Sequence, residues 1–139
     1  MKPKELNFNV PGRFEDHMCT FVTWPCKGDK EIDLFRKETA SVVKIISRYE
    51  KVILIVNPED LNNAQEQCSD FADMWSIPTD MSWIRDNGPI FIRNKKNEIA
   101  AVHFKFNGYG NKFTPHEKVQ KVPQIIANKL NIQCFSSNL

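Results

Sequence analysis

The sequence predicts an α/β fold, and three observations carry that expectation. Residues 19–24 and 51–56 are short runs rich in β-branched and aromatic side chains, the length and composition of buried strands. Between them, Ile32, Phe35, Thr39, Val42, Val43 and Ile46 recur at three- and four-residue spacing, the period of an amphipathic helix. The alternation continues along the chain with no low-complexity linker, so residues 1–139 read as a single domain-sized stretch.

Residues 1–17 are polar and irregular, with Pro11-Gly12 marking a turn. The first strand, residues 19–24, is stopped by Pro25 and the turn-forming Lys27-Gly28-Asp29. Asp29 is the expected N-cap of a helix over residues 31–48, with Glu31, Arg36, Lys37 and Lys44 on its outer side. Residues 51–56 follow as a second strand. Asn57-Pro58 then reads as a cap and first turn of a helix that runs to about Phe71. A loop containing Pro78 leads into Ser82-Trp83-Ile84-Arg85. Residues 90–93 and 99–106 form a strand pair around the turn Asn94-Lys95-Lys96-Asn97. Gly108-Tyr109-Gly110 is a loop, residues 116–130 a helix, and Gln133-Cys134-Phe135 the start of another strand. The expected order is β-α-β-α-β-β-α-β.

Composition excludes several function classes. The formal net charge is only +2, and the densest basic cluster, Arg93, Lys95 and Lys96, suits a solvated turn better than a nucleic-acid groove. The longest apolar run, Val52-Ile53-Leu54-Ile55-Val56, falls far short of the roughly 20 residues that span a bilayer. No hydrophobic signal region follows Met1, so a cytosolic protein is expected, with no membrane partner. Cys19, Cys26, Cys68 and Cys134 form no CxxC pair, and His17, His103 and His116 offer no zinc spacing. Four reduced thiols, no metal and no cofactor are the expectation.

The most informative stretch is Trp83-Ile84-Arg85-Asp86-Asn87-Gly88-Pro89. It places an Arg-Asp pair at a strand-to-turn corner, where side chains can converge on a pocket. A guanidinium ligand needs a carboxylate for its N–H groups and an aromatic face for its plane, and Asp86 and Trp83 are of those types. The plainer reading is that Arg85 and Asp86 form ion pairs that fix the turn, with Trp83 in the core. Phe106-Asn107-Gly108-Tyr109-Gly110 suits a close backbone approach, or is only a turn. Trp24, before Pro25, is either pocket wall or ordinary core.

Taken together, these segments resemble the agmatine deiminase and bacterial-type peptidylarginine deiminase family. The matching pieces are Trp24-Pro25, the Trp-x-Arg-Asp-x-Gly-Pro signature from Trp83 to Pro89, and the Phe-Asn-x-aromatic-Gly loop from Phe106 to Gly110. The resemblance covers nearly the whole chain from about Val10. It implies the N-terminal portion of a pentein, a five-bladed α/β propeller, with fewer than half the blades present, so residues 1–139 would be a partial domain. It also implies hydrolysis of a guanidinium to a ureido group. A cysteine thiolate attacks the guanidinium carbon, a histidine shuttles protons, and two acidic residues hold the nitrogens. On this resemblance Asp86 is expected to be the first of those carboxylates, acting in catalysis and substrate binding, and Trp83 and Trp24 are expected in the substrate pocket. The nucleophile, the histidine and the second acid belong to later segments of the family, and none of the four cysteines occupies the nucleophile's position.

Three positions depart from the family pattern. Met81 stands where many relatives have an acid, His103-Phe104 where Asp-Trp is frequent, and Tyr109 where Trp is frequent. The expected substrate is the small-molecule guanidine agmatine, converted to N-carbamoylputrescine on the route to putrescine. Peptidylarginine or free arginine is the alternative. Residues 99–112 contain Lys105 and Lys112 but no Arg to pair with a substrate carboxylate, which leans towards agmatine. A non-catalytic remnant is the rival from another class. The full-length protein could be an oligomer.

Overall fold

The computed structural model describes residues 2–27 and 31–137, and within them the chain divides into two compact units. The expected N-cap at Asp29 and the Gly28 turn lie outside the described residues.

The unit formed by residues 16–84 is a parallel three-stranded sheet with two crossover helices. Its strands are β1 (Thr20–Thr23), β2 (Val52–Val56) and β3 (Asp73–Ser76), in that order, with Val22 beside Leu54 and Leu54 beside Met74. Helix α1 (Ile32–Ile46) connects the first pair and α2 (Leu61–Cys68) the second. Every residue of the central strand is buried, as its unbroken apolar run requires of a strand in a parallel sheet. Val52, Leu54 and Val56 on one face pack with Val43 of α1, Ala64 and Cys68 of α2, and Trp24.

Strand β3 differs from expectation. Its sequence, Asp-Met-Trp-Ser, carries no β-branched run and was expected to be loop. It is a strand because α2 ends at Cys68, earlier than expected, and the chain returns alongside β2. Helix α1 also sits rotated from its predicted face. Phe35 and Val42 are exposed, while Arg36, placed by pattern on the polar side, turns inward. Its guanidinium pairs with Asp60 and donates to the Pro25 carbonyl at 3.3 Å. A partly buried guanidinium thus finds two acceptors on the inner side of the helix.

The second unit comprises residues 2–15 and 85–137. Strand β4 (Ile90–Arg93) pairs antiparallel with β5 (Ile99–Phe104), and β5 pairs parallel with β6 (Gln133–Ser137). The hairpin turn is held by Asn94, whose Oδ1 accepts from the backbone N–H of Lys96 at 2.9 Å and of Glu98 at 3.0 Å. Between β5 and β6 a 3-10 turn (Val119–Lys121) leads into helix α5 (Val122–Lys129). The α-helix starts later than position 116 because Pro123, with no N–H to donate, fits only a first turn. Pro123, Ile126 and Ala127 are buried, and α5 packs against β5 and β6.

Two short elements carry the motifs. One helical turn, α3 (Ile84–Asn87), occupies the Arg-Asp corner and contains the boundary between the units. A second short turn, α4 (Gly108–Asn111), follows β5; its backbone is left-handed and not that of an α-helix.

Candidate functional site

In the unit of residues 16–84, Trp83 closes a loop with buried polar anchors. Asn57, expected as a helix cap, makes no capping bond. Instead its side chain is buried and its Oδ1 accepts from the Thr79 N–H at 2.8 Å. The Thr79 hydroxyl donates to the Met81 carbonyl at 2.8 Å, and Ser82 Oγ accepts from the Cys26 N–H at 3.3 Å. These bonds fix the segment before Trp83 to the ends of β1 and β2. Trp83 is partly exposed and lines a cleft of about 320 Å3 with Thr23, Pro25, Phe35 and Ser82.

Trp24 is wholly buried. It packs in the core cluster, and its Nε1–H donates to Asn63 Oδ1 at 3.3 Å. Of the two readings the sequence left open, this is the core position, and the ring presents no face to a ligand.

In the other unit, Asp86 lies on the exposed side of α3. No ion pair links it to Arg85, so a turn-fixing Arg-Asp pair is not found among the described residues. Its Oδ1 accepts a hydrogen bond of 2.6 Å from the Tyr109 hydroxyl. That bond is the largest cause holding the Tyr109 phenol above its ordinary pKa, followed by partial desolvation and the carboxylate's charge. Asn87, next in the motif, is buried, and its Nδ2 has no hydrogen-bond partner among the described residues.

Tyr109 is presented by an unusual backbone. Gly108, Tyr109, Gly110 and Asn111 all have positive φ, at 61°, 55°, 72° and 62°. Gly108 cannot be replaced without movement, since a Cβ there would stand 2.3 Å from the Phe113 carbonyl oxygen. Asn107 Oδ1 accepts from the Gly110 N–H at 3.0 Å, and Asn111 Oδ1 meets His116 Nε2 at 3.0 Å. The Tyr109 ring stands edge-to-face with Phe106, centroids 5.4 Å apart, and with Phe113 at 6.0 Å. The sequence marked this loop through its glycines but carried no signal that Tyr109 would reach Asp86.

Three of the four thiols are held in their protonated form by burial. Burial pushes Cys68 up to about 11 and raises Cys19 and Cys134 as well, which disfavours the nucleophilic thiolate. Burial lowers the His103 pKa, and its Nε2 has no hydrogen-bond partner among the described residues. His17 pairs with Glu50. Among the described residues no three His, Cys, Asp or Glu side chains come together to hold a metal, and no helix is long and apolar enough to cross a membrane.

This fold is that of the agmatine and peptidyl-arginine deiminases. The agmatine deiminase of Enterococcus faecalis superimposes with a TM-score of 0.93 at 24% identity, over 98% of this chain and 39% of that one. A C. jejuni agmatine deiminase solved with substrate bound gives a TM-score of 0.79 at 21% identity, over 95% of this chain and 40% of that one. By sequence, residues 9–139 match the Porphyromonas-type peptidyl-arginine deiminase family, and the chain belongs to it. A relative from Legionella pneumophila, provisionally named an agmatine deiminase, is 30% identical over 116 residues, which is 80% of this chain and 33% of its own length. The chain therefore spans about a third of the length of the curated relatives it matches.

Proposed function

We propose that this chain contributes the first substrate carboxylate, Asp86, to a deiminase that hydrolyses agmatine and water to N-carbamoylputrescine and ammonia. The observation that carries the reading is the Asp86 side chain. It is exposed, unpaired with Arg85, and held on one oxygen by Tyr109, which leaves Oδ2 open to a guanidinium N–H. A carboxylate so placed holds the cation and stabilises the charge that develops as the guanidinium carbon becomes tetrahedral. Trp83, in the same sequence signature, is an aromatic of the kind that stacks on a guanidinium plane. Trp24 is packing within the core of its own unit.

On this reading the nucleophilic cysteine, the histidine and the second acid come from outside these 139 residues. The raised thiol pKa values of Cys19, Cys68 and Cys134 support that division. The reaction uses water and no cofactor. The complete enzyme is a cytoplasmic pentein propeller that works in putrescine formation, and this chain is part of its one catalytic domain. Agmatine is favoured over arginine because residues 99–112 offer no Arg to pair with an α-carboxylate.

Two measurements on the chain test the proposal. Agmatine added to an isotope-labelled sample should shift the backbone signals of residues 83–89 and 106–110, with an affinity on the order of millimolar. Asp86→Asn should abolish the shifts, and arginine should produce weaker ones. The chain alone should release no ammonia from agmatine above a buffer blank. Equal shifts in the Asp86→Asn variant, or ammonia release that Asp86→Asn abolishes, would contradict this division of labour.

A further inference from the structure

We infer that Tyr109 is a positioning residue for Asp86: through its hydroxyl bond to Oδ1 it fixes the carboxylate's orientation and leaves Oδ2 facing the ligand. The ligand half of this inference rests on the function proposed above, and the contact half stands on geometry alone.

The argument begins with the backbone. Four consecutive residues with positive φ, two of them not glycine, are costly to hold, so the surroundings must impose them. Here they are imposed several times over. The Asn107 side chain bonds the Gly110 N–H, and the Asn107 carbonyl accepts from the Asn111 N–H at 2.8 Å. The Gly108 carbonyl accepts from the Phe113 N–H at 3.1 Å. Asn111 is tied to His116, whose Nδ1 lies 3.0 Å from Gln120 Nε2 at the approach to α5. A loop anchored this firmly delivers its central side chain to one place.

That side chain is a tyrosine between two edge-on aromatic rings, Phe106 and Phe113. The rings restrict its swing, and the hydroxyl ends 2.6 Å from Asp86 Oδ1, a short charge-assisted bond. Asp86 is otherwise exposed on a helix of one turn, a setting in which a carboxylate would sample several rotamers. Each carboxylate oxygen has two lone pairs, so the Tyr109 bond can persist while a guanidinium N–H binds Oδ2. An indole at position 109 would present its N–H from a different distance and direction. The orienting hydroxyl is therefore specific to a chain with tyrosine there.

The chain has two tyrosines, Tyr49 and Tyr109. Tyr49 is 84% exposed, so Tyr49→Phe leaves Tyr109 as the single phenol in an otherwise unperturbed fold. In that background the ultraviolet absorbance of tyrosinate reports Tyr109 ionisation directly. Asp86→Asn, and separately Asp86→Ala, should move the ionisation to lower pH, with circular dichroism unchanged. An ionisation that neither substitution moves would overturn the inference. A second arm compares agmatine affinity by amide shifts. Tyr109→Phe should weaken it about threefold to tenfold, the net loss typical of one hydrogen bond that orients a ligand group without touching the ligand. If Tyr109→Phe binds agmatine as the unsubstituted chain does, the positioning role is overturned even where the ionisation moves. If the ionisation moves but the unsubstituted chain shows no agmatine shifts, the contact stands and the substrate reading falls.

Discussion

At the scale of single residues, burial quiets three of the thiols, while the Asp86 carboxylate is exposed and oriented by a neighbour. Cys68 illustrates the first half. It is wholly buried against Val52, Leu54 and Val43, and desolvation raises its thiol from 9.0 to about 11. A thiol raised on folding contributes stability that is fully present below the ordinary value and lost as pH climbs through the folded value. The stability advantage of the unsubstituted chain over Cys68→Ala should therefore narrow as pH rises from 9.0 towards about 11. Denaturant titrations at pH values across that window check this. An advantage that stays constant would mean Cys68 ionises as freely folded as unfolded. Asp86 is the opposite case, exposed and oriented by a neighbour rather than buried.

At the scale of elements, α4 is the piece whose geometry matters most. Its Gly108 has φ 61° and no room for a Cβ. Gly108→Ala should destabilise the chain by roughly 1–3 kcal/mol, through strain and the clash with the Phe113 carbonyl. It should also shift Tyr109 ionisation to lower pH, because the loop can no longer deliver the hydroxyl. Thermal unfolding and the tyrosinate titration read the two effects. Unchanged stability would show that the turn relaxes freely. Much of this level was legible in advance. The apolar run of β2, the hairpin around Asn94 and the strand at Gln133 follow from period and turn chemistry. Strand β3 was not legible, because its pairing is set by β2 and not by its own four residues. The rotation of α1 was hidden for a related reason: the Arg36 bonds to Asp60 and Pro25 are tertiary facts that periodicity does not encode. The motif around Asp86 was readable as a carboxylate near aromatics. Its partner Tyr109, 23 residues later, was not, since only the folded loop brings the hydroxyl there.

At the scale of the whole molecule, the chain belongs to a deiminase family while spanning about a third of its curated relatives' length. The central claim is that Asp86 acts on substrate and is not merely a structural residue. The most direct test is a chimera that joins this chain to the remainder of the Enterococcus faecalis agmatine deiminase, whose fold it matches with a TM-score of 0.93. Agmatine turnover and melting temperature would be measured with Asp and with Asn at position 86. An amide offers one acceptor oxygen and no charge, so kcat/KM should fall about 30-fold to several-thousand-fold, the loss of roughly 2–5 kcal/mol typical of a desolvated charge pair. The melting temperature should stay near that of the parent chimera. A variant that melts lower yet turns over agmatine at the parent rate would contradict the account, and would make Asp86 a residue that only holds its turn.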